Sequence, residues 1–383
     1  MFLDFIIDFP EIRGFSRFRH DYLANYSFPI VDQFRRDGGV ASNGMKATFT
    51  TMTFPNHISI ATGMYQDNHG VVHNTFYDRS LNKTFGMSIR DDTHWNYTVE
   101  PIWITATKQG VKSAVLFWPA ADSKFNGTLP LIYSWVYSDN IQFRDKINNA
   151  LSYFREIPML DLVMLYHPEP DKQGHTYGTD SKEVQDALTR LDGDLQYLLD
   201  KVKEDLNDDL NIILLSDHGM VNVKKVIRPF FEKYIDRSMI DSQFLTGGVF
   251  NVNPKPNRDT QNSSYPNRGA HGWDNEFPSM KAIFMAKGPY FKKGFTLETL
   301  NNVDIYQMAC EILNLIPNKY ATDGSLDNIT NIFNVSGITT TTPTTTPTTT
   351  TITTITNNGI STHFSFRNLF LLMVLFYICR LKL

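Results

Sequence analysis

The chain has 383 residues, room for one large domain or two ordinary ones, and its 42% apolar and 13% aromatic content is enough for a sizeable core. A formal net charge of -4 argues against bulk nucleic-acid binding, which needs a basic face. The only two cysteines, Cys310 and Cys379, exclude a disulfide framework and a zinc site made from Cys.

In chain order, residues 2–7 (Phe-Leu-Asp-Phe-Ile-Ile) read as a buried strand ending near Asp8. A short helix is predicted over 30–37, stopped by Gly38-Gly39. The polar run 40–52 leads to Thr53, and Ile58, Ile60 and Ala61 predict a helix from His57. Thr53 then stands near a helix N-terminus, where free backbone N–H groups favour an anion. Residues 111–118 read as a buried strand and 142–154 as a helix. Residues 160–166 (Leu-Asp-Leu-Val-Met-Leu-Tyr) predict a strand, with Asp171 and His175 in the loop behind it. The clearest helix is 181–204, where Val184, Leu188, Leu191, Leu195, Leu198 and Val202 recur at three- and four-residue steps. Residues 210–215 read as a buried strand with Asp217-His218 at its end. A further strand is predicted over 281–286 and a helix over 302–315.

Apolar strands alternating with amphipathic helices predict an α/β fold, a mostly parallel sheet with helices on both faces. Ligands in such sheets bind at the carboxyl ends of the strands. Both Asp171/His175 and Asp217/His218 fall there.

Four stretches carry the chemistry: Thr51 to His57, Glu169 to His175, Ser216 to Met220, and Ala270 to Asn275. Each alone has an ordinary explanation: a turn threonine, a solvated loop pair, a strand terminator, a turn histidine between glycines. The candidate ligands among them are Asp171, Asp217, His175, His218, His271 and the Thr53 hydroxyl. Hard oxygen and imidazole ligands without thiolate suit zinc in a hydrolytic site. The expectation is a two-metal phosphodiesterase with Thr53 as nucleophile, its hydroxyl activated by a metal. Phe54, Trp118, Tyr133 and Tyr137 offer an aromatic slot for a nucleobase, with a place in the core as the equal alternative.

Seven Asn-x-Ser/Thr sequons, at Asn25, Asn82, Asn96, Asn126, Asn262, Asn328 and Asn334, favour the secretory route and a glycoprotein. Residues 1–14 lack a basic n-region and carry Asp4, Asp8 and Glu11, a poor signal peptide that points to a missing or misjoined start. Three segments are expected: a catalytic domain over 1–335, a Thr/Pro-rich stalk over 336–359, and an apolar anchor segment over 360–383. The anchor reads as a glycolipid signal in preference to a single transmembrane helix. Either leaves the chain membrane-tethered through its C-terminus with the catalytic domain outside the cell.

The blocks TFPNH, HGVVHN, FWPAAD, EPDKQGHTYG, LLSDHGM and HGWDN, over roughly residues 15–330, resemble the ecto-nucleotide pyrophosphatase/phosphodiesterases of the alkaline phosphatase superfamily. The resemblance implies an alkaline-phosphatase-like core holding two zinc ions. Asp171, His175 and His271 would hold one; Thr53, Asp217 and His218 would hold the other. Asn74 would bind a phosphoryl oxygen, and Phe54 and Tyr137 would stack on the substrate. The expected substrate is a small phosphodiester, a nucleotide or a choline phosphodiester. In the family an Asp-Gly-Phe-Arg block supplies one more carboxylate to the Thr-side zinc. Here Ser16-Arg17 stand in the Asp-Gly place, and Asp8 is the substitute if residues 9–17 loop out. Without that carboxylate, the alternative is a metal-deficient pseudoenzyme that binds ligands at the cell surface.

Overall fold

Short runs of uninterrupted apolar residues form the strands of one eight-stranded sheet, as expected where both faces are covered. The computed structural model describes residues 20–87, 89, 91–134, 141–158, 160–223, 240–246, 249–254, 269–334 and 370–375. In chain order the sheet strands are β1 (Gly39–Ala41), β2 (Lys112–Leu116), β3 (Ile132–Tyr133), β4 (Leu160–His167), β5 (Asn211–Leu215), β6 (Phe284–Lys287), β7 (Phe295–Leu297) and β8 (Phe370–Leu375). Their spatial order is β7-β1-β6-β5-β8-β4-β2-β3. Every pairing is parallel except those of β6, which runs antiparallel to β1 and β5.

The helices that matter are α1 (Pro29–Asp37), α2 (Thr53–Thr62), α3 (Phe143–Glu156), α4 (Asp171–Tyr177), α5 (Lys182–Leu206) and α6 (Asp304–Ile312). Helix α5 packs on α1, α3 and α4, whereas α6 packs on α2, giving two helical layers against the sheet. The α5 boundaries follow from local chemistry. The Ser181 side chain accepts the Val184 N–H at its start, and Asn207, in the left-handed region (φ 52°), ends it. Its Val184, Leu188, Leu191, Leu195, Leu198 and Val202 are all buried, the stripe the sequence predicts.

Two differences from expectation bear on function. The segment bearing Asp171 and His175 is a short helix and not a loop, so the two side chains, four residues apart, share one face. The apolar segment assigned as an anchor supplies β8, hydrogen-bonded between β4 and β5 over Phe370 to Leu375. The uninterrupted apolar run over Phe370–Leu375 suits a strand covered on both faces. Among the described residues no helix is long and apolar enough to cross a membrane. The strand expected at residues 2–7 lies outside the described residues.

Candidate active site

The site assembles at the carboxyl ends of β4 and β5. Strand β5 ends at Leu215 and is followed directly by Asp217 and His218, both fully buried. Ser216 fixes this turn: its N–H donates to Ile283 O and its hydroxyl accepts the Ile283 N–H. Strand β4 ends at His167, and helix α4 then places Asp171 and His175. A two-stranded ribbon pairs Val221–Asn222 with Gly269–Ala270, and one step beyond its end His271 comes back over His218. The two imidazoles stack with centroids 4.0 Å apart, and His175 lies 5.3 Å from His271.

Thr53 is the first residue of α2, buried, with the N-terminal turn of that helix around it. Asn56 organises the approach to it. The Asn56 amide donates to Thr50 O and Met52 O, and its oxygen accepts from Thr48 N–H and Asn302. Thr51 ties this approach to the third segment: its carbonyl receives His271 Nδ1–H at 2.8 Å, and its hydroxyl donates to Trp273 O and accepts the Gly272 N–H. Asn74 Oδ1 accepts the Phe54 N–H at 2.8 Å, which leaves the Nδ2 end of that amide as a donor beside the helix start.

The histidines share a feature that spacing could not reveal. His175 Nδ1 lies 2.9 Å from Gly269 O, His218 Nδ1 2.9 Å from Gly219 O, and His271 Nδ1 2.8 Å from Thr51 O. A carbonyl only accepts, so each Nδ1 carries the proton and each Nε2 keeps its lone pair. Backbone carbonyls that fix the tautomer in this way are the usual support of a metal-binding imidazole. His175 Nε2 is 3.4 Å from Asp171 Oδ1, and His218 Nε2 is 3.3 Å from Asp217 Oδ2. The edge of a tetrahedron with zinc–ligand bonds of about 2.0–2.1 Å is about 3.3 Å, so each Asp/His pair has the separation of two ligands on one ion. This match is pairwise: among the described residues no group of three or more His, Cys, Asp or Glu is arranged to hold a metal.

The structure therefore brings together Thr53, Asn74, Asp217, His218, His271, His175 and Asp171. Asp8, Ser16 and Tyr137 lie outside the described residues. Of the expected aromatic slot, Phe54 is buried and meets Trp95 edge-on, and Trp118 is buried against His57. Trp118 is thus a core residue, and only Tyr133, on the edge strand β3, is half-buried.

Comparison with known proteins decides the family. The model of the type I phosphodiesterase / nucleotide pyrophosphatase family matches residues 15–292. This chain belongs to that family. Relatives include human ectonucleotide pyrophosphatase/phosphodiesterase family member 1, 31% identical over 82% of this chain, and the mouse bis(5'-adenosyl)-triphosphatase enpp4, 33% identical over 80%. The chain spans 40% of the human relative's length and 44% of that of bovine family member 3, but 77% of enpp4. Among solved structures, murine ectonucleotide pyrophosphatase/phosphodiesterase 5 superposes with a TM-score of 0.76 at 29% identity, covering 84% of this chain and 98% of that one. That structure is of an inactive threonine-to-alanine variant in complex with AMP. The phosphodiesterases named here are hydrolases of phosphodiester or phosphoanhydride bonds, and the alkaline-phosphatase-like α/β core expected from sequence is the fold this chain has.

Proposed function

We propose that this phosphodiesterase hydrolyses nucleotides such as ATP outside the cell, with Thr53 as nucleophile, releasing a nucleoside monophosphate. The observation that carries the proposal is the convergence of Thr53, Asp217/His218 and Asp171/His175/His271 on one strand-end site, each histidine presenting Nε2. The donor set suits two zinc ions, one on Asp171, His175 and His271, the other on Thr53, Asp217 and His218, with Asp8 as its further carboxylate. Zinc bound there would lower the pKa of an oxygen nucleophile and neutralise developing charge. The Thr53 hydroxyl oxygen attacks phosphorus as its proton passes to solvent water, and the bond to the leaving-group oxygen breaks, pyrophosphate departing from ATP as the anion. Water then cleaves the threonine phosphoryl ester and restores the hydroxyl. Asn74 donates from Nδ2 to a phosphoryl oxygen, held in place by the Phe54 N–H on its other end. The family resemblance assigns stacking on the base to Phe54 and Tyr137, of which Tyr137 lies outside the described residues. The AMP complex and the inactive threonine variant of the solved relative support both the substrate class and the nucleophile. The extracellular setting rests on the seven sequons and on the ecto- in the relatives' names.

The test is hydrolysis of a nitrophenyl nucleotide ester by the purified chain and by Thr53→Ala. The variant should lose at least about 10³-fold in kcat, as expected for a removed nucleophile. Retained turnover would refute the assignment. Faster turnover of glycerophosphocholine than of ATP would move the substrate class to choline phosphodiesters. A folded parent chain that hydrolyses neither would be the pseudoenzyme.

A further inference from the structure

The ligand set leaves one member of the Thr51–His57 stretch unused. His57 is fully buried, one turn after Thr53 on α2. Its Nδ1 lies 2.7 Å from the Thr53 carbonyl and 3.5 Å from Asp217 Oδ2. The carbonyl can only accept, so the proton is on Nδ1, and the same N–H edge faces the Asp217 carboxylate. Two rings hold the imidazole edge-on: Trp118 with its centroid at 4.8 Å and Tyr166 at 5.2 Å. Trp118 stands two residues past the end of β2 and Tyr166 lies near the carboxyl end of β4, so the ring is packed against the strand ends that carry the site.

We infer that His57 is the positioning residue of the nucleophile: its Nδ1–H holds the Thr53 carbonyl at 2.7 Å while the ring lies between the Asp217 carboxylate and the Trp118 and Tyr166 rings, fixing the hydroxyl relative to the strand-end site. The inference rests on the proposed role of Thr53. His57 does not touch the substrate and supplies no metal ligand. It sets where the attacking oxygen stands, a term that belongs to the chemical step. A displacement of about 1 Å there costs on the order of 100-fold in rate.

Two substitutions separate this from a packing role. His57→Asn keeps an N–H at the Nδ1 position but removes the ring; His57→Gln moves the N–H one bond further out and loses that donor. Each is compared with the parent chain for kcat and KM on a nitrophenyl nucleotide ester, metal content per chain, and melting temperature. The expected result is that His57→Gln lowers kcat by about 10- to 100-fold with KM within about two-fold, and that His57→Asn recovers most of kcat. Metal content should equal the parent's in both. Parental kcat in His57→Gln overturns the inference. So does a His57→Asn variant as slow as His57→Gln with the same fall in melting temperature, because the loss then follows packing and not the donor. So does a loss of metal in both variants, which would make His57 a support of the ion. If the parent chain itself has no turnover, the proposed function has failed, and equal metal and melting behaviour in all three chains overturns the positioning role as well.

Discussion

His69 is satisfied through both ring nitrogens while fully buried: Nδ1 accepts the Val71 N–H and Nε2 donates to the Ser59 hydroxyl. That pattern requires the neutral ring, and burial pushes its pKa down to about 3. Burial likewise holds His73 at about 4. In the unfolded chain both titrate near 6.5. Between about pH 6.5 and about 4 the unfolded state binds the extra protons, so stability is present above 6.5 and lost as pH falls. Each histidine should contribute a slope of up to about 1.4 kcal/mol per pH unit in that window. Melting curves from pH 7.5 to 4.5 check this, and His69→Gln should flatten the fall. The residue scale also shows what sequence could carry: the identities of Thr53, Asp171, His175, Asp217, His218 and His271 were legible because each sits at a motif. The carbonyls that orient the three imidazoles were not, because Thr51 O, Gly219 O and Gly269 O are backbone atoms that no residue identity announces.

Helix α4 and the Gly269–Ala270 strand are locked together by absence of side chain. A Cβ on Gly269 would stand 2.6 Å from Gly174 O and 2.7 Å from Met220 Sδ, whereas one on Gly174 would meet only Met220 Sδ and Cε, the Sδ at 2.8 Å. The methionine sulfur can swing aside, but the backbone oxygen cannot. Gly269→Ala should therefore push α4 away, break the His175 Nδ1–Gly269 O bond, and cost about 1–3 kcal/mol. Gly174→Ala should be milder, its strain offset by a helix-propensity gain of about 1 kcal/mol. Urea melts of both variants check the order, and metal content should fall only in Gly269→Ala. The sequence marked Asp171 to His175 as a loop because two glycines and Pro170 flank or interrupt it. The helix forms anyway, since tertiary contacts with α5 and the Gly269–Ala270 strand override local propensity. Strands Ile240–Thr246 and Val249–Pro254, an antiparallel pair, were also missed, although Gly247-Gly248 between alternating runs is a hairpin signal.

At the scale of the whole molecule, alternation of apolar strands and amphipathic helices was enough to read the α/β class, and β2, β4, β5 and β6 fall within two or three residues of their predicted bounds. Strand β8 was not readable, because an apolar run next to a Thr-rich tract satisfies anchor and buried strand equally, and its pairing with β4 and β5 is a long-range contact that local pattern does not carry. Proline has no N–H and is excluded from central strands. Met373→Pro, paired on both sides with Leu165 and Leu214, should therefore prevent accumulation of folded protein, measured by circular dichroism and soluble yield. A proline variant with parental melting temperature and activity would show that β8 is dispensable.

The strand at the centre of this sheet comes more than 150 residues after both of its neighbours. Until residue 375 has left the ribosome, β4 and β5 face each other across an open seam with unmade backbone bonds. The carboxyl ends of both strands, where the candidate site lies, thus become rigid only after residue 375 has been synthesised, and the nascent chain must be shielded from neighbours throughout that wait.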